Sequence, residues 1–263
     1  MIALGAPLAE KNVLVPLDYF IRSGEVSESA QIVVAQPTAT DLLRPPAPEG
    51  VALPLFQYLR RAQIIEVATA PDPMWRFLAQ LHSPTQAAYA PLVEASSQGE
   101  PFKAEGTALF SRGRMVDTLT GYQASVLDWL IKREGFPTAR VLLPGAKKMS
   151  TLHVVHVRKR LQVLSAQHAV IHLHFEVYLS EAPGLAVDDR PGGPFEQAAA
   201  SQLTKQLRGV LDVLQRNGAD VIGLAPYVHA RYPGATADWP SAFSRLQLGL
   251  DVSVSLTGGG RKD

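Results

Sequence analysis

Two long runs of alternating apolar and polar residues, Leu152 to Leu164 and Val170 to Leu179, flank a short turn at Ala166-Gln167-His168 and constrain the fold more than any other feature. Runs of this length exceed an ordinary strand and pair most simply as one extended antiparallel ribbon. Gly192-Gly193-Pro194 then launches a helix whose Phe195, Ala199, Leu203, Leu207, Val210, Leu211 and Leu214 form one apolar stripe, and Asn217-Gly218 closes it. A ribbon and a helix with one apolar face each are expected to bury those faces together. The order of strands followed by a covering helix, with a last strand at Leu250 to Leu256, places this half in the α+β class.

Upstream, Gly106 to Phe110 and Met115 to Leu119 flank Arg112-Gly113-Arg114, the composition of a tight hairpin. Thr120 and Gln123 have capping-box spacing ahead of Val126, Leu127, Leu130 and Ile131, with Gly135 and Pro137 to end that helix. A strand is expected at Ala139 to Leu143. The first hundred residues read differently, as short helices and strands between proline-rich connections. Leu17 to Arg22 suits a helical turn, Gln31 to Ala35 a strand, and Pro45 to Gly50 a loop. Leu55, Leu59 and Ala62 mark a helix with Arg60 and Arg61 off its stripe. Asp72-Pro73 reads as an N-cap and first helical residue before Trp75, Leu78 and Leu81. The change of texture places a division at Gly106, giving units 1–105 and 106–263. The expected architecture is two α+β units with mainly antiparallel or mixed sheet and packed helices.

Composition narrows the function. The 263 residues carry 25 Lys+Arg and 24 Asp+Glu, so no charge surplus favours nucleic acid or an acidic surface. The basic pairs Arg60-Arg61 and Lys147-Lys148 are isolated and read as solvated corners. Cysteine is absent, which removes disulfides, thiolate metal sites and cysteine nucleophiles. Apolar stretches such as Ala52 to Phe56 and Val221 to Ala225 fall far short of the roughly 20 residues that cross a bilayer. The opening residues lack the pattern of a secretory signal.

The sharpest catalytic suggestion is His172-Leu-His174-Phe-Glu176. Residues two apart on a strand share a face, so both imidazoles and the carboxylate project together, as a metal-dependent hydrolase would need. The alternate residues Ile171, Leu173, Phe175 and Val177 form the apolar face. On the partner strand Val155, Val157, Leu161 and Val163 are the apolar set, while His156, Arg158, Arg160 and Gln162 are polar. Pairing Leu161 with Leu173 and Val157 with Val177 sets Arg158 opposite Glu176 and Arg160 opposite His174. Two guanidinium groups then crowd the ligands, and a solvated polar face is the better reading. Lys159, on the apolar side, reads as a stem covering hydrophobic surface. The terminal glycines lack a phosphate-loop ending and a following helix, and no Gly-x-Ser-x-Gly elbow is present. His153, His168 and His229 lie near turns. Tyr227, Tyr232 and Trp239 either pack the long helix onto the sheet or serve as contacts for a partner protein.

The order of motifs resembles the Ger(x)C spore-germination proteins, the C subunits of nutrient germinant receptors. Gly106-Thr-Ala-Leu-Phe110 and Met115-Val116 match that family's "G-x-A-[VL]-F, turn, strand, helix" passage. The likeness runs on through the Lys159 ribbon, the long helix before Asp220-Val221-Ile222-Gly223, and Trp239 ahead of the final strand. Leu8-Ala9-Glu10-Lys11, Leu17 to Arg22 and Ile32 to Ala35 are similar to its "L-A-x-x-G … D-[FY]-x-x-R … V-x-V-A" stretch. The resemblance implies a non-catalytic subunit, without cofactor, acting beside integral membrane receptor subunits at the outer face of the spore inner membrane. Family members carry a lipoprotein signal and a lipid-modified cysteine, and this chain has no cysteine to acylate. The rival expectations are the hydrolase of His172, His174 and Glu176, and a small-molecule binding protein with its ligand in the cleft between the units.

Overall fold

The computed structural model describes residues 1–43, 52–64, 68–96, 102–131, 138–146, 148–181 and 193–257. The expected Pro45–Gly50 loop, the Gly135/Pro137 helix stop, Lys147, Gly192 and the terminal glycines lie outside them.

The first sheet has the order β1-β2-β3-β4-β5. Its strands are β1 (Ile2–Gly5), β2 (Ile32–Gln36), β3 (Ala87–Ala95), β4 (Phe102–Ser111) and β5 (Arg114–Thr120). The pairs β1/β2 and β2/β3 are parallel and the rest antiparallel. Residues 32–35 of β2 are all buried, because helices cover both faces of the strand and it needs no polar side. These helices are α1 (Ala6–Ala9), α2 (Leu14–Ser23), α3 (Ala39–Leu43), α4 (Ala52–Ile64) and α5 (Met74–His82). One core gathers Ile32, Val34, Leu17 and Phe77, and a second gathers Val33, Ala35, Leu55 and Leu59 on the opposite face.

Two local expectations are corrected in α5. Pro73 itself occupies the N-cap position, so Asp72 lies one residue too early to cap; its buried carboxylate accepts from Gln80 Nε2 at 3.3 Å. The inward stripe is Met74, Phe77, Leu78 and Leu81, which leaves Trp75 half exposed beside Arg76.

The β4–β5 turn is a two-residue loop in which Arg112 (φ 53°) and Gly113 (φ 76°) both take left-handed conformations, the type I′ form that matches strand twist. Gly106 opens the quoted motif for a steric reason. Its φ is 140°, and a Cβ there would lie 2.1 Å from the Leu119 carbonyl oxygen, so only glycine fits. Because β4 begins at Phe102 and β5 runs to Thr120, hydrogen bonding carries this sheet across position 106.

After α6 (Tyr122–Ile131), the second sheet has the order β6-β7-β8-β9, formed by β6 (Thr138–Val141), β7 (Ser150–Ser165), β8 (His168–Glu181) and β9 (Gln247–Leu256). The pairs β6/β7 and β7/β8 are antiparallel and β8/β9 is parallel, so both sheets are mixed. The long helix α7 (Gly193–Arg216) packs its stripe from Ala199 to Leu214 against this sheet. Its polar side chains also close the sheet edges. The Gln202 amide bonds both Leu142 N–H and C=O at 2.7 Å, while Arg208 reaches the Leu248 carbonyl and Glu196 the Leu256 N–H. The chain then forms α8 (Ala225–His229), a 3-10 turn at Pro233–Thr236 and α9 (Trp239–Arg245) before β9. Tyr89, Leu109 and Leu119 of the first sheet join the core of the second half, so the two sheets share packed interior.

Candidate functional site

The ribbon register differs by two residues from the sequence expectation. Leu161 pairs with Ile171 and Val157 with Phe175; Arg160 faces His172, Arg158 faces His174 and His156 faces Glu176. A two-residue slip keeps every side chain on its face, so alternation could not distinguish the two alignments. Bulges at Val155 and Leu164 cause a further correction. Val154 points inward and is buried, whereas Val155 is 57% exposed and leaves the expected apolar set.

The His172, His174 and Glu176 side chains do share the outer face, but neighbours already engage them. His172 Nδ1 meets Asp251 Oδ2 at 2.9 Å and its Nε2 meets Gln162 Oε1 at 3.0 Å. His174 Nδ1 meets Ser253 Oγ at 2.8 Å and its Nε2 Ser255 Oγ at 3.2 Å. Arg158 Nη2 donates to Glu176 Oε1 at 2.5 Å despite the altered register, because the long guanidinium reaches diagonally. All four imidazole nitrogens are occupied, which is the arrangement of a cross-strand polar ladder. On the core side Lys159 Nζ donates to Leu130 C=O at 2.5 Å and approaches the Ile222 carbonyl at 3.5 Å. Its charge thus sits at the C-terminal turn of α6, where helix carbonyls lack partners.

The aromatic segment divides. Trp239 is fully buried and belongs to the core rather than to the surface, whereas Tyr227 and Tyr232 are 54% and 37% exposed. Asp220, to which sequence reasoning gave no role, organises the segment. Its buried carboxylate accepts the Gly223, Leu224 and Ala225 N–H groups at 2.8–3.0 Å and the Trp239 indole N–H at 2.7 Å. Burial pushes its carboxyl up, the four donors pull it back, and it settles at about 6. An Asp between the helix-closing Asn217-Gly218 and the Gly223–Pro226 turn, able to accept from backbone N–H groups a few residues ahead, is the sequence signal for this tie.

A third constellation lies where the sheets meet. Arg112, at the β4–β5 turn, pairs with Asp238 and donates to Ser241 Oγ at 3.1 Å, linking the first sheet to α9. The Ser241 hydroxyl, with Arg112, holds the Asp238 carboxyl below its ordinary range. On the other side of the turn Arg216 lies 3.5 Å from Asp117, which also accepts from Asn217 Nδ2 at 2.8 Å.

A family described as "Spore germination B3/ GerAC like, C-terminal" matches residues 105–260, and one described as "Spore germination protein N-terminal domain" matches residues 1–95. The chain belongs to the GerAC-like spore germination family. The crystal structure of the GerBC protein superposes on this GerAC-like chain with a TM-score of 0.71 at 18% identity, covering 97% of this chain and 78% of that one. That likeness establishes the shared fold, α+β with two mixed sheets. No curated protein matches the sequence. Among the described residues of this GerAC-like protein, no helix is long and apolar enough to cross a membrane.

Proposed function

We propose that this protein is the C subunit of a spore nutrient germinant receptor, a non-catalytic component that works by assembling with integral membrane subunits at the outer face of the spore inner membrane. What supports this reading is the succession of both family domains along one chain, at residues 1–95 and 105–260. In this reading the functional division lies at Gly106, within a sheet that is continuous there, giving units 1–105 and 106–263. The engaged ladder of His172, His174 and Glu176 is consistent with a scaffold rather than a reaction centre. The contact surface in this reading is the exposed face of α8 and the following turn, with Tyr227 and Tyr232 as anchors, since rings that stand in water contribute strongly when a partner covers them.

The test is co-purification of the full chain with its co-expressed membrane subunits. The wild-type chain is expected to be retained, and Tyr227→Ala/Tyr232→Ala to be lost while staying folded. Failure of the wild-type chain to associate would overturn the receptor assignment. Full retention of the double variant would overturn the contact face alone.

A further inference from the structure

The cleft between the β4–β5 turn and α9 has a volume of about 570 Å³, within the range of small-molecule sites. The β4–β5 turn of the first sheet and the helices α7 and α9 line it, and the charges there do not cancel. Arg112 is matched by Asp238, and Arg216 by Asp117 and by the negative C-terminal end of α7. Arg114, which also lines the cleft, has no acidic partner among the described residues. One guanidinium is therefore left over in a concave site that also offers Asn217 and Ser244, with Val116 and Pro240 as apolar wall.

Two backbone features show that this corner is built at a cost. A type I′ turn favours Asn or Gly at its first central position, yet Arg112 stands there at φ 53°, a conformation costing about 1–2 kcal/mol for a side chain with a Cβ. Strain of that kind persists where a side chain is required at that spot. On the opposite wall Gly218 has φ 60°, and a Cβ there would lie 2.8 Å from the Pro240 carbonyl oxygen, so the wall stays bare.

We propose that this cleft binds a small molecule bearing a single carboxylate, with Arg114 as the principal anion contact and the apolar wall taking the body of the ligand. A guanidinium fork matches the two oxygens of a carboxylate, and one unmatched positive charge suits a monoanion better than a phosphate dianion. Because Arg112 and Arg114 belong to the β4–β5 hairpin of the first sheet and Ser244 to α9, an occupied cleft bridges that hairpin and α9. Binding would oppose their separation. The assignment goes beyond subunit assembly and stands whether or not the receptor reading holds.

The experiment is an NMR titration of the full ¹⁵N-labelled chain with benzoate, benzamide and inorganic phosphate. Benzoate is expected to give saturable shifts confined to residues 111–116, 216–218 and 240–244. Benzamide and phosphate should bind at least tenfold more weakly. Arg114→Ala, an exposed position, should leave the spectrum folded and reduce benzoate affinity at least tenfold. Unsaturable or scattered shifts, equal binding of benzamide or phosphate, or an unchanged affinity in the variant would each overturn the proposal.

Discussion

The indole N–H of Trp239 donates to Asp220 Oδ2 at 2.7 Å inside a core that shields both side chains from solvent. The same carboxylate closes the N-terminus of α8 through three backbone donors, so one side chain ties the end of α7 to α8 and α9. This tie presents Tyr227 and Tyr232 to solvent and fixes the α9 wall of the junction cleft.

Replacing Asp220 by Ala strands four N–H groups, most of them buried. The expected loss of stability at neutral pH is about 3–5 kcal/mol, measured by urea unfolding. A loss below about 1 kcal/mol would mean that water takes over the acceptor role.

The same residue makes stability depend on pH. Its folded-state value of about 6 lies above the ordinary 3.8, so the folded chain holds the extra proton between those limits. The stabilising contribution is complete below about pH 4 and is lost as pH rises through about 6. Relative to Asp220→Asn, the wild-type chain should lose about 3 kcal/mol between pH 4 and pH 7. Unfolding of both proteins across that range checks the sign, and a pH-independent gap would refute it.

Gly106→Ala forces a Cβ to within 2.1 Å of a backbone carbonyl that pairs β5 to β4. Destabilisation of about 3 kcal/mol or more is expected. Thermal unfolding that stayed within a degree or two of wild type would show that the strand pair can shift to admit the methyl group.

Lys159→Met keeps most of the buried stem and removes the donor to the Leu130 carbonyl. The cost should be about 1–2 kcal/mol, the penalty of leaving that helix-end acceptor poorly satisfied. Equal stability of the two proteins in urea would place the ammonium in water instead.

Chelation tests the polar ladder. With both nitrogens of His172 and His174 already bonded, EDTA should leave the melting temperature unchanged in the wild-type chain and in His174→Ala. Stoichiometric Zn²⁺ retained after dialysis, and lost in the variant, would reverse the interpretation.

Side-chain alternation and helical periodicity made the second sheet and its covering helix legible in the sequence, because the periods of 2 and 3.6 decide which residues can be buried together. The hairpin at Arg112-Gly113, the α7 stripe and the outward direction of His172, His174 and Glu176 follow from those local rules. Tertiary structure decided what local patterns leave equal. Register slips of two preserve every face, and the bulge that turns Val155 outward exists only once β7 meets β8. The burial of Asp220 with Trp239, and the excess charge at Arg114, depend on distant segments converging, with contacts 19 and 126 residues apart at Asp220–Trp239 and Arg112–Asp238. Long-range packing excludes solvent from Asp220, which turns an ordinary carboxylate into a structural tie, and it pairs Arg112 with Asp238 while leaving Arg114 unmatched among the described residues.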